Sequence, residues 1–159
     1  MLAENVIHGD VASANKWKIK TDPVDDSGAT NYKSFTSVIG NMKNGANVDL
    51  DITLRNDVKV EVSGGDNAGL ACGTMDENAS LAVSLSSSLL DVSGKSNAGV
   101  FVGKMSADAT LNIDKCNTLT DVNISANNAG GLVGSAENAE INVGEDVTLT
   151  MTGSVTGSV

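Results

Sequence analysis

One stretch of ten residues governs what this chain can fold into. Asp66–Met75 reads DNAGLACGTM, residues 96–105 read SNAGVFVGKM, and residues 127–136 read NNAGGLVGSA. The glycines that anchor these blocks, with a degenerate earlier copy SFTSVIG, are Gly40, Gly73, Gly103 and Gly134, spaced 33, 30 and 31 residues apart. Self-similarity at a fixed period of this size is the signature of a stacked repeat architecture.

The residues after each anchor repeat as well. A short polar turn leads to Ala46, Ala79, Ala109 and Ala139, and each Ala opens an alternating run: ANVDLDI, ASLAVSL, ATLNID and AEINV. A second alternating run follows in each unit: VKVEVSG, LDVSG, VNISA and LTMTG. Period-two alternation over four to eight residues reads as strands with one buried face. Each unit therefore holds three strand-like pieces and no helical period. A single unit cannot bury its apolar faces, whereas stacked units share one continuous core. The expectation is an all-β parallel solenoid, or β-helix, with triangular coils of about 30 residues. Parallel crossovers are right-handed in nearly all proteins, so a right-handed coil is expected. An antiparallel sandwich also has many short strands, but it gives no reason for the same side chain to return every ~30 residues.

Stacking supplies a role for the constant residues. Equivalent positions lie one above another, and an Asn amide both donates and accepts. Asn67, Asn97 and Asn128 are expected to form a structural ladder like those of cross-β stacks. Gly40, Gly73, Gly103 and Gly134, and the Gly of each Asn-Ala-Gly, are expected to form turns in conformations that other residues avoid. Within the block, Leu70 and Cys72, Val100 and Val102, and Gly131 and Val133 are read as facing the core. Strict alternation then puts Val38, Ala71, Phe101 and Leu132 outside as an apolar partner stripe. Such a stripe marks a contact surface for another chain, unless residues 1–33 cover it.

Composition excludes several functions. The net charge is −10, and Arg55 is the only arginine. Binding a nucleic-acid backbone needs a basic stripe to neutralise phosphates, so neither nucleic acid nor anionic lipid is an expected partner. No apolar run approaches the ~20 residues of a membrane-spanning helix, and no membrane insertion is expected. The opening MLAENVIHGDV has neither the basic nor the apolar region of a signal peptide. Met1 is read either as a native start or as the first residue of a piece of a longer secreted protein.

Catalytic and metal readings are weak. His8 is the only histidine, and Cys72 and Cys116 form no CxxC pair, so histidine-rich zinc ligation and a serine triad are not expected. The cysteines are read as reduced thiols, although a disulfide between them is open. Asp22, Asp25 and Asp26 in DPVDDSG offer oxygen ligands for a cation such as calcium, but they match no EF-hand spacing and read as an acidic turn. Outward columns mix acidic with neutral residues, as in Asn47/Ser80/Thr110/Glu140, Asp49/Ala82/Asn112/Asn142 and Asp51/Ser84/Asp114/Gly144. They lack the paired carboxylates of a glycosidase and a basic partner column. No catalytic residue, cofactor or metal site is expected.

The block GGLVG at residues 130–134, followed by Ala139, Ile141 and Val143, resembles the GLUG-type repeats of bacterial cell-surface and adhesin-like proteins. The resemblance covers roughly residues 34–153. It implies a secreted or surface-attached bacterial protein in which the repeats are structural or adhesive modules without catalysis. The implied location is extracellular, and the implied partners are a host glycan or a protein receptor. The alternative is a β-helix region of a larger polysaccharide-processing enzyme.

The ends differ in character. Residues 1–33 break the repeat and contain NKWKIKTD, where lysines alternate with Trp17 and Ile19. Lysine on an edge strand discourages further pairing, so this segment is read as an N-terminal cap or irregular first coil. Residues 34–159 are read as the repeat array. After LTMTG the chain reads SVTGSV with no cap sequence, which leaves an open end for more repeats or for self-association.

Overall fold

The computed structural model describes residues 6–7, 15–20, 33–35, 37–53, 60–86, 90–116 and 119–158. His8, Arg55 and the acidic turn with Asp22, Asp25 and Asp26 lie outside the described residues. In chain order the strands are β1 (Val6–Ile7), β2 (Asn15–Lys20), β3 (Lys33–Phe35), β4 (Ile39–Met42), β5 (Asn47–Thr53) and β6 (Val60–Ser63). There follow β7 (Asn67–Gly69), β8 (Cys72–Met75), β9 (Ser80–Ser86), β10 (Leu90–Ser93), β11 (Asn97–Gly99) and β12 (Val102–Met105). The last are β13 (Thr110–Cys116), β14 (Leu119–Ala126), β15 (Asn128–Gly130), β16 (Val133–Ala136), β17 (Glu140–Val143) and β18 (Met151–Gly157).

Strand order settles the architecture. Three sheets have five strands, in the orders β1-β4-β8-β12-β16, β2-β5-β9-β13-β17 and β3-β6-β10-β14-β18, and a fourth has three, β7-β11-β15. Pairing is parallel in every case, for example β4 with β8 and β9 with β13. This is a parallel β-solenoid, as the ~30-residue period predicts. A full coil uses four strands, as β8 to β11 do, where the alternation suggested three. The extra element is the Asn-Ala-Gly strand, which a bend at Leu70–Ala71 separates from the strand that follows.

Register makes the core a set of columns. Val48, Leu81, Leu111 and Ile141 are successive partners, as are Leu50, Val83, Ile113 and Val143. Ile39, Cys72, Val102 and Val133 form another column, and Met42, Met75, Met105 and Ala136 a fourth. Apart from the last member of each, these side chains are fully buried. Burying one such side chain is worth about 1.5–3 kcal/mol, and each rung extends the same apolar surface. The chain needs few aromatics because its interior is narrow and filled by repetition.

One turn recurs with a conformation that the sequence names only in hindsight. Gly45, Asn78, Asp108 and Asn138 all have positive φ, at 72°, 56°, 57° and 49°. Each precedes the Ala that opens the long strand. This left-handed position suits Gly, Asn and Asp and few others. The turn is closed by bonds such as Ala46 N to Lys43 O at 2.9 Å and Ala79 N to Asp76 O at 3.2 Å.

Four expectations are corrected. First, Val38, Ala71 and Phe101 are not an outer stripe. They lie in the core with at most 1% exposure, and Leu132 packs against the same cluster. Alternation holds only within a continuous strand, and the bend after Asn-Ala-Gly lets consecutive residues both turn inward. Second, Gly40, Gly73, Gly103 and Gly134 are strand residues and none has a positive φ. Gly73, Gly103 and Gly134 are small because another backbone lies against them. A Cβ on Gly103 would stand 2.6 Å from Ala68 N and 2.7 Å from Gly73 O. The Gly of Asn-Ala-Gly has the same cause: a Cβ on Gly69 would stand 2.6 Å from Phe101 O.

Third, Asp114 does not share a column with Ser84. A bulge in β13 shifts the register so that Lys115 pairs with Ser84 and Cys116 with Leu85. Fourth, the last unit's second strand runs further along the chain than LTMTG. Its Val155 is the partner of Ile124, and Gly153 that of Val122, so SVTG continues a sheet. Of residues 1–33, the described strands β1 and β2 pair in register with β4 and β5 and add a partial coil to the stack.

Candidate functional site: the polar ladders and the last coil

The repeated Asn side chains are joined to one another. Asn97 donates from Nδ2 to Asn67 Oδ1 at 2.6 Å, and Asn128 donates from Nδ2 to Asn97 Oδ1 at 3.0 Å. Asn67 in turn donates from Nδ2 to Thr74 Oγ1 at 2.9 Å. Strands β7, β11 and β15 hold these residues in register, Asn on Asn, Ala on Ala and Gly on Gly. Asn97, at 8% exposure, is the most enclosed of the three. A buried amide without partners is costly, whereas one bonded above and below contributes to stability.

The same device recurs on the outside. Asn123 donates to Asp91 Oδ1 at 2.9 Å, and Ser154 donates to Asn123 Oδ1 at 2.8 Å. Asn142 donates to Asn112 Oδ1 at 3.1 Å, and Ser158 to Asn127 Oδ1 at 2.7 Å. Every one of these bonds joins residues 30–32 apart, and each runs from a donor in the later coil to an acceptor in the earlier one. Lys43 and Asp76, 3.3 Å apart and partly exposed, add an ion pair between successive coils. Such surface pairs contribute little.

Among the described residues, two recesses lie along the polar surface. One, of about 310 Å³, lies where β7 meets β4 and β8 and is lined by Ser37, Asn41, Asp66, Asn67 and Thr74 among others. Ser37 is buried there, and its Oγ accepts from Gly69 N at 3.3 Å. Asn41 Oδ1 is enclosed without a hydrogen-bond partner. The other recess, of about 400 Å³, runs along β6, β10 and β14 past Glu61, Asp91, Asn123 and the serines Ser63, Ser93 and Ser125. Glu61 and Asp91 are register partners, which sets their strands ~4.8 Å apart. Carboxylates, amides and hydroxyls in a row suit contacts to a polyhydroxyl ligand, yet no aromatic platform lines either recess.

Cys72 and Cys116 are not joined by a disulfide. Burial pushes the Cys72 thiol up to about 12, outweighing its backbone hydrogen bonds at Met42 and Thr74. Burial likewise pushes Cys116 up to about 11. A thiol held protonated is a poor nucleophile, and Cys72 serves as an apolar member of its core column. Among the described residues, no group of three or more His, Cys, Asp or Glu could hold a metal ion.

The last coil stands apart. Ile141, Val143, Met151 and Val155 occupy core columns, yet they are 38%, 42%, 37% and 45% exposed. Their partners one coil earlier, Leu111, Ile113, Leu119 and Ile124, are buried. Repetition in the sequence could locate these positions, and the order of strands places them on the last described rung of their columns. Comparison with protein-family models, curated proteins and solved structures found no match for the chain.

Proposed function

We propose that this chain is a structural repeat module of a bacterial surface or secreted protein, a spacer or display scaffold with no catalysis of its own. One observation carries the reading. The outward Asn, Ser and Asp side chains bond from coil to coil, so much of the surface chemistry serves to hold the stack together. A rod fixed both by its core and by its surface keeps its shape under load and presents whatever is attached to it. Resemblance of the GGLVG block to surface-protein repeats supports an extracellular location and a glycan or protein receptor as partner.

A second reading has its own support. The Glu61–Asp91 pair in the outer recess favours a carbohydrate-active β-helix region of a larger polysaccharide-processing enzyme, since paired carboxylates are the working groups of glycosidases. Incubating the protein with a panel of acidic and neutral polysaccharides distinguishes the two. The scaffold reading predicts glycans recovered at full length, bound or unbound. Shortened products that disappear with Glu61→Gln and Asp91→Asn would replace it with the enzymatic one.

A further inference from the structure

We infer that the recess at the edge of β7 is a binding site for an acetamido group, the N-acetyl substituent of an amino sugar. The recess lies at a gap in the first coil. Phe35 pairs with Val62 and Ile39 with Cys72, so the first coil covers in four residues what the next covers in ten. The residues left without a counterpart are 65–70, which include the Asn-Ala-Gly strand. The gap is internal to the stack, because β3 and β4 of the same coil continue on either side of it. Strand β7 consequently ends its sheet among the described residues.

The next coils show what this edge offers. Ser96 N and Asn97 N both donate to the single carbonyl oxygen of Asp66, at 2.8 and 2.9 Å, and Lys95 N donates to Gly65 O at 2.8 Å. Asn127 N and Asn128 N donate to Lys95 O and Ser96 O in the same way. One coil earlier the equivalent groups are the N–H groups of Gly65, Asp66 and Asn67, and among the described residues none accepts from them. All three residues line the recess. Asp66 N and Asn67 N thus form a pair of donors placed to share one carbonyl oxygen. A side chain marks the same gap. Thr74 Oγ1 accepts from Asn67 Nδ2, and Asn41 is the register partner of Thr74. The donor that would serve Asn41 belongs to the strand that the first coil lacks, and Asn41 Oδ1 is enclosed without a partner.

Charge and space select the occupant. The exposed Asp66 side chain lines the recess, and the chain's net charge is −10, so an anion is repelled. A row of N–H donors disfavours a cation. A neutral carbonyl satisfies both conditions. The Asp66 carboxylate can only accept, so it calls for donors on the same occupant. An acetamido sugar has both: its carbonyl takes the paired N–H groups, and its amide N–H and hydroxyls donate to Asp66. A peptide strand fits less well. Ser37 Oγ already takes Gly69 N at 3.3 Å, and Val38 N takes Leu70 O at 3.0 Å, which leaves only residues 65–67 open. At about 310 Å³ the recess is at the small end of ligand pockets and suits a single sugar ring. The proposal rests on the glycan partner of the reading above, but its test reads binding whereas that reading's test reads turnover, so either can fail alone.

Titration of the isotope-labelled chain with N-acetylglucosamine, followed by backbone amide NMR, provides the test. The N–H resonances of Asp66 and Asn67 should shift and saturate with a Kd on the order of 1 mM, the strength expected of a small ligand without a stacking surface. Glucose lacks the carbonyl and should bind about tenfold more weakly, since it leaves the paired donors unmet. Asp66→Ala removes the acceptor and should weaken the sugar about tenfold. Asp66 is exposed and its ladder bonds are made by its backbone, so circular dichroism and the unfolding midpoint of this variant should match the wild type. No shift at Asp66 and Asn67 at sugar concentrations well above that Kd overturns the proposal and leaves the recess to water. Equal binding of glucose also overturns it. So does tighter binding of an Asn-Ala-Gly peptide than of the sugar, which would make the recess a strand-docking edge.

Discussion

Asn97 accepts one ladder bond and donates another, and it is enclosed while doing so. Asn97→Ala would leave Asn67 Oδ1 and Asn128 Nδ2 without their partner. The expected loss is about 2–3 kcal/mol in urea unfolding, because a stranded polar group costs more than the bond was worth. A loss within ~0.5 kcal/mol, as at an ordinary surface site, would mean that the ladder does not hold the coils. The Asn role was legible in the sequence because only the side chain's chemistry was needed to foresee it. The glycine role was not. A glycine required by positive φ and one required by a neighbouring backbone are the same letter. Gly103 is explained by Ala68 N and Gly73 O, atoms of residues about 30 positions away.

At the scale of elements, long strands were easy to read and interruptions were not. Runs such as ASLAVSL give their inner face directly, and β9 buries Leu81, Val83 and Leu85 as the alternation implies. The bend at Leu70–Ala71, the bulge in β13 and the start of β18 each break that count, and each misplaced a side chain by breaking it. Phe101 is the clearest case. Taken as the middle of one strand it points out, but at the bend it is among the largest buried side chains of the core. Phe101→Ser should therefore lower stability by about 3–5 kcal/mol, through lost burial and the cavity left behind. An unfolding midpoint equal to that of the wild type would return Phe101 to the surface. Asp114 teaches a related lesson: one inserted residue moves Cys116 into the column of Leu85.

For the whole molecule, one fact explains most of the composition. Each residue's important neighbours lie one coil above and one below, so small side chains, tight turns and few aromatics suffice. This order was visible as soon as the repeat was aligned, because the period is carried by several residue types at once. The exposure of the last described rung was less legible, since nothing in AEINV sets Ile141 and Val143 apart from their buried partners Leu111 and Ile113. The acidity is also distributed unevenly: residues 117–159 carry acids and no Lys or Arg.

The central claim is that residues about 30 apart in sequence lie on adjacent rungs. Side-chain amide NMR tests it most directly, through nuclear Overhauser contacts of the Asn97 Nδ2 protons. The stacked arrangement predicts cross-peaks to the side chains of both Asn67 and Asn128, the partners at 2.6 Å and 3.0 Å. Cross-peaks confined to Ser96, Ala98 and other sequence neighbours would contradict it.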